Sequence, residues 1–144
     1  MKFEEIQEEW AKDEPKVGGN IAQDAVRCSY LHGKYYKIWR AEKRLYNQME
    51  ADYKLLKFNK IEYYMGRMSL EELKEHGWAP FQLRIVKSDV DTYLSGDKEL
   101  QTASVRLVNQ KDKVVYIEDL IKHINGLSHN FRNAVEYLKF TNGQ

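Results

Sequence analysis

Between Asn20 and Tyr64 the chain runs without a proline, and Gly33 is its only interior glycine. Leu31, Ile38 and Leu45 recur every seven residues, with Tyr35, Met49, Leu56 and Tyr63 on the alternating positions of the same seam. Trp39, Tyr46 and Tyr53 form a second seven-residue series alongside. An apolar repeat near 3.5 residues specifies a long helix that packs on other helices in coiled-coil fashion. At 1.5 Å per residue such a helix spans roughly 65 Å, so one end overhangs any small compact core and invites a partner. Gly33 is the position where a bend is expected, and Asp52 and Asn59 fall on the first series and weaken it.

The rest of the chain reads as helices separated by glycine and proline. Phe3, Ile6 and Trp10 share one face of a helix from Phe3 to Asp13, and Glu4, Glu5, Glu8 and Glu9 cover the other. Pro15 and the Gly18-Gly19 pair break it. Gly66 closes the long helix, and Ser69 with Glu72 three residues on forms a capping box for a helix that Gly77 stops after His76. Trp78-Ala79-Pro80-Phe81 is an apolar turn that plugs a core, Gln82 to Lys87 suits either a short strand or a helix, and Ser88 to Leu94 is helical up to Gly96. Asp97 caps a further helix on which Leu100, Leu107, Val114 and Ile121 repeat, joined by Ala103, Ile117 and Ile124, with Gln110 as a lapse. Gly126 is expected to end it, and Leu127 to Phe140 to form a last, separate helix. The expected fold is mainly α: two long helices plus short ones, little or no strand, and a single domain over 1–144. Its parts are an acidic helix (1–17), a long basic and aromatic helix (20–67), short helices (69–96) and C-terminal oligomerisation helices (97–141).

Several functional classes lack their signatures. No Walker-type loop, dinucleotide fingerprint, CxxC or HExxH occurs. None of His32, His76, His123 and His129 lies four residues from another histidine, and the lone Cys28 completes no zinc set and forms no internal disulfide. Cys28 therefore reads as a structural thiol in a reducing compartment. No apolar run reaches the ~20 residues of a membrane span, and no leader-like segment follows Met1, so a cytoplasmic protein without membrane, metal or cofactor is expected.

The formal net charge is +1, yet charge is segregated along the chain. Lys2 to Glu14 carries two lysines against six acids. Lys34 to Arg67 carries Lys34, Lys37, Arg40, Lys43, Arg44, Lys54, Lys57, Lys60 and Arg67 against Glu42, Glu50, Asp52 and Glu62. Tyrosines interleave with these cations. Lysine and arginine neutralise phosphates and release counterions, and aromatic rings stack on unpaired bases, so such a track suits single-stranded nucleic acid. The same pattern also suits a solvated helix face beside a packed aromatic seam. Tyr35, Trp39, Tyr46 and Tyr53 fit packing, whereas Tyr63 and Tyr64, beside Gly66-Arg67 at a helix end, fit a functional contact.

These residues carry a resemblance to a known family. Ile6-Gln7-Glu8-Glu9-Trp10-Ala11-Lys12-Asp13, Leu31-His32-Gly33-Lys34-Tyr35 and Tyr63-Tyr64-Met65-Gly66-Arg67 occur in order. Asp91-Thr92-Tyr93-Leu94, Asp97-Lys98-Glu99-Leu100 and Phe131-Arg132-Asn133-Ala134-Val135-Glu136-Tyr137-Leu138-Lys139-Phe140 follow. Together they resemble the UvsY family of recombination mediators of T-even-like phages, nearly end to end. The closing motif departs from the family's pattern at Phe131 and Tyr137, and the cluster Lys57-Phe58-Asn59-Lys60 matches only Lys60 of the family's two closely spaced cations.

The resemblance implies a ring-like homo-oligomer, a heptamer, that binds single-stranded DNA and loosens the phage single-strand-binding protein. It also implies loading of a UvsX-type recombinase in the cytoplasm of the infected bacterial host, with no catalysis and no cofactor. The expected DNA contacts are Lys54, Lys57, Lys60, Tyr63, Tyr64 and Arg67, with a weaker set at Lys34, Lys37, Arg40 and Arg44. Core and oligomer contacts are expected from Leu100, Leu107, Ile117, Leu120, Ile121, Ile124 and Leu138, and the acidic first helix is expected to meet protein partners or tune DNA release. The competing reading is a helical adaptor that binds only proteins.

Overall fold

Three of the helices begin where a side chain accepts from amides that the first turn leaves unpaired. In the computed structural model, which describes residues 1–16, 19–81 and 83–143, the elements are α1 (Phe3–Asp13), α2 (Ile21–Tyr64), α3 (Leu70–His76), a 3-10 turn (Lys87–Asp89), α4 (Val90–Ser95) and α5 (Lys98–Thr141). Asn20 Oδ1 accepts from the amides of Ala22 and Gln23 at the head of α2. The Ser69 hydroxyl accepts from the Glu72 amide before α3, and Asp97 Oδ1 accepts from the Leu100 amide before α5. No strand occurs among the described residues, which decides the ambiguous segment after Phe81: residues 83–86 are irregular, and Gln82 lies outside the described residues, as does Gly18.

The expected break at Gly126 does not occur. α5 runs 44 residues from Lys98 to Thr141, and the anticipated last helix is its continuation. An interior glycine costs a helix about 1 kcal/mol relative to alanine. Ile124 on one side, and Leu127 and Phe131 on the other, pack on the same core. Burying such side chains is worth roughly 1.5–3 kcal/mol each, more than the glycine takes away. Gly33 is likewise internal to α2.

The chain forms two compact units, Met1–Leu45 with Gln110–Gln144, and Tyr46–Asn109. In the first, Ile6 and Trp10 of α1 close onto Cys28, Leu31 and Tyr35 of α2 and Ile117, Leu120 and Ile124 of α5. Burial, and then Asp24, push the Cys28 thiol up from its ordinary pKa, consistent with a packed, inert thiol. In the second unit Val90, Leu94 and Leu100 form the core, and Tyr53, Leu56, Ile61, Tyr64, Met65 and Ile85 pack around it.

The inward face of α2 follows Cys28, Leu31, Tyr35, Ile38 and Glu42 in the first unit, and Tyr46, Met49, Tyr53, Leu56 and Lys60 in the second. The intervals alternate three and four until Glu42, where two fours succeed one another; this is a stutter in the heptad pattern. The seam consequently changes series. Leu45, expected on it, is 47% exposed, while Trp39, Tyr46 and Tyr53 turn inward, and the next member of that series is Lys60. Asp52 is exposed, since the first series has left the seam by then. At the phase change the buried Gln110 donates to the Glu42 carbonyl (2.9 Å) and to Glu42 Oε2 (2.8 Å). Gln110 is thus not a lapse in the apolar face but the partner of a buried carboxylate.

Candidate nucleic-acid interface

The basic side chains of α2 divide into those the protein uses internally and those it leaves to solvent. In the first unit Lys34 belongs to the internal set. Its ammonium lies 2.8 Å from Glu9 Oε2 and 2.6 Å from Asp13 Oδ2, both on α1. Asp13 also accepts from the Tyr35 hydroxyl (3.0 Å) and faces Arg27 at 3.4 Å. Hydrogen bonds to Asp13 and then Glu9 hold the Lys34 ammonium above its ordinary pKa. The acidic helix therefore neutralises the head of the basic stripe. Lys37, Arg40 and Arg44, at i, i+3 and i+7, are exposed with no acidic partner among the described residues.

The second unit repeats the division. Lys60 is only 5% exposed. Its ammonium is 3.1 Å from Asp97 Oδ2 and 3.0 Å from Glu99 Oε2, and it stands 4.0 Å from the centre of the Trp78 ring. Asp97 also accepts from the Tyr64 hydroxyl at 2.6 Å. Burial opposes the charge on Asp97, but Tyr64, the Leu100 amide and Lys60 together keep its carboxyl below the usual aspartate range. Lys60 was expected to contact DNA; buried and bound to two carboxylates, its side chain faces the protein instead. Lys57, one turn earlier, is exposed and without an acidic partner among the described residues. It edges a hollow of about 330 Å³ lined also by Tyr53, Asp91, Ser95, Gln101 and Ser104, with Asp91 not paired to it. Lys54 pairs loosely with Glu50 at 4.0 Å, and Arg67 with Glu62 at 3.2 Å. Both pairs are solvent-facing, so a phosphate can compete for either cation.

Tyr63 and Tyr64 are half-buried members of an aromatic cluster rather than free rings. Tyr63 donates to the Ala79 carbonyl at 2.6 Å and packs on Trp78 and Phe81. Tyr64 packs edge-on against Phe81 and lies beside Tyr93. Trp78 donates its indole N–H to Glu99 at 3.0 Å and stacks on His76. The sequence places His76 at a helix end but does not anticipate its stacking on Trp78. Its signal was the His76-Gly77-Trp78 order at a helix end, where a left-handed glycine folds the following residue back onto the helix.

Among the expected oligomer contacts, Leu100, Ile117, Leu120 and Ile124 are buried within the chain itself. They serve the core and are not available to a partner. Leu107 and Ile121 are half-buried, and Leu138 is 44% exposed beside the exposed Tyr137 and Phe140. Among the described residues no group of three histidine, cysteine, aspartate or glutamate side chains could hold a metal ion. No helix of the described residues is long and apolar enough to cross a membrane.

The profile of the family described as "Recombination, repair and ssDNA binding protein UvsY" matches residues 9–144. The fold is similar to crystal structures of the bacteriophage T4 recombination mediator protein UvsY. In lattice type II the TM-score is 0.81 at 21% identity, covering 98% of each chain. In lattice type IV it is 0.80 at 20% identity, covering 97% of this chain and 99% of that one. No curated protein matches by sequence. With the family profile spanning almost all of the chain and the two-long-helix fold reproduced end to end, this chain belongs to the UvsY family of recombination and repair proteins.

Proposed function

We propose that the chain binds single-stranded DNA as a ring-like homo-oligomer, a heptamer. In the cytoplasm of an infected bacterium it loosens the phage single-strand-binding protein and promotes nucleation of a UvsX-type recombinase filament. The observation that carries the reading is the set of exposed cations without acidic partners, Lys37, Arg40 and Arg44 on the first unit and Lys57 on the second, in a chain of this family. Each unit offers its own cations, with Lys54 and Arg67 adding to Lys57. Copies joined in one assembly turn modest contacts into a multivalent site, so a net charge of +1 is no obstacle. Exposed Leu138, Tyr137 and Phe140 on the last turns of α5 supply apolar surface for assembly.

Fluorescence anisotropy with single-stranded and duplex DNA across a salt series, on protein sized by light scattering, tests this. A large assembly is expected to prefer single strands, with log affinity falling by about 0.7 per log salt for each phosphate neutralised. The double variant Lys54→Glu, Lys57→Glu is expected to weaken binding at unchanged assembly size. A small species indifferent to DNA overturns the reading in favour of the protein-binding adaptor, which the exposed Val26, Tyr30, Leu55 and Phe58 would then serve.

A further inference from the structure

We propose that the His76–Trp78 stack is a base-stacking platform for an unpaired nucleotide; this rests on the single-strand-binding reading and assigns it a base contact separate from its phosphate contacts. α3 ends in a Schellman turn: the Trp78 amide donates to the Leu73 carbonyl (2.9 Å) and the Gly77 amide to the Lys74 carbonyl (3.2 Å), with Gly77 at φ +69°. That turn returns the indole of Trp78 onto the imidazole of His76. The ring centres are 4.3 Å apart and the planes differ by 14°, close to the geometry of stacked bases.

The platform is held from three directions. The indole N–H donates to Glu99, the Lys60 ammonium lies over the Trp78 ring at 4.0 Å, and the Tyr63 ring packs against the indole at 5.3 Å. Trp78 is half-buried by these contacts, whereas His76 is exposed and no other ring of the described residues stands against it. The outer face of the imidazole is therefore a flat aromatic surface, oriented in advance, on which one more planar ring can continue the stack. Aromatic platforms accept any base, because every base offers a π face. Preorganisation limits the side-chain entropy lost on binding. The internal role of Lys60 acquires a purpose here: it fixes the platform while the exposed Lys57, one turn earlier on α2, remains for phosphate.

Stacking and phosphate contacts separate by their salt dependence. Full-length protein carrying His76→Ala is expected to bind an oligothymidylate about 10-fold more weakly than the unsubstituted chain, with the salt slope unchanged. His76→Trp, which restores a flat ring, is expected to recover the affinity. On an abasic strand of the same length His76→Ala and the unsubstituted chain are expected to bind alike. Equal affinity of His76→Ala and the unsubstituted chain for oligothymidylate overturns the platform, as does an equal loss on the abasic strand. Either result leaves the single-strand-binding reading intact if Lys54→Glu, Lys57→Glu still weakens binding. If the unsubstituted chain binds neither strand, both proposals fall.

Discussion

The Lys60 ammonium lies 3.1 Å from Asp97 Oδ2, and both side chains are 6% exposed, so the central cation of the expected DNA-binding cluster is part of the protein's interior. Removing one member of a buried ion pair leaves the other charge uncompensated and costs about 3–5 kcal/mol. Lys60→Ala is therefore expected to lower unfolding stability by that amount in urea denaturation. Lys57→Ala, on the exposed face one turn away, is expected to stay within about 0.5 kcal/mol while reducing the salt slope of DNA binding by about 0.7. If Lys60→Ala left stability unchanged and took over the salt effect, the assignment of the two lysines would be reversed.

Glu42 and Gln110 meet at the stutter, and their coupling can be measured. Gln110→Leu completes the heptad pattern of α5 but deprives a buried carboxylate of a donor, for an expected cost of about 1–3 kcal/mol. The double variant Glu42→Leu, Gln110→Leu is expected to recover only part of that loss, because removing Glu42 also takes the carboxylate from the Met1 ammonium (3.0 Å) and from Lys113 (3.3 Å). A double-mutant cycle by chemical denaturation reads the coupling; additive effects would mean that the two side chains do not depend on one another.

Acid is expected to destabilise the protein in a defined window. Burial works against the charges on Glu42 and Asp97, yet hydrogen bonds and nearby cations leave both carboxyls below their ordinary pKa. Each group binds its proton more weakly folded than unfolded. The stabilisation is therefore complete above the unfolded values near 4 and is lost as pH falls through the lower folded values. Urea midpoints should be flat from neutral pH down to about pH 5 and drop below about pH 4. Asp97→Asn should shallow that drop, and an unchanged pH profile would remove Asp97 from the account.

Glycine substitutions distinguish a helix interior from a helix end. Gly126 lies within α5 with nothing within 4 Å of an added Cβ, so Gly126→Ala is expected to stabilise the protein by about 0.5–1 kcal/mol. Gly77 is equally open but has φ +69°, so Gly77→Ala is expected to destabilise by about 1–2 kcal/mol and to loosen the Trp78–His76 stack. Thermal melts, with tryptophan fluorescence for the second variant, check both. A destabilising Gly126→Ala would restore the two-helix reading of residues 98–141.

Apolar periodicity, capping residues and glycine punctuation suffice to place α1, α2 and α3 and the start of α5, because each depends on local rules within a few turns. Charge segregation points no further than a track suited to nucleic acid, and the ordered motifs suggest a recombination mediator only through their resemblance to a known family. Three matters lay beyond the sequence. Whether Gly126 ends a helix depended on Ile124, Leu127 and Phe131 finding a shared core, a tertiary gain larger than a local propensity. Which seven-residue series faces inward changed at Glu42, and a one-dimensional repeat does not reveal which of two adjacent series a partner helix will cover. Which lysines are free was decided by carboxylates remote in sequence: Glu9 and Asp13 bind Lys34, and Asp97 and Glu99 bind Lys60. The sequence determines how many charges the chain carries and on which helices they stand. Only the packing of those helices determines which charges meet an opposite partner inside the protein and which remain open to solvent, because a Coulomb interaction depends on distance through space and on burial, neither of which is local in sequence.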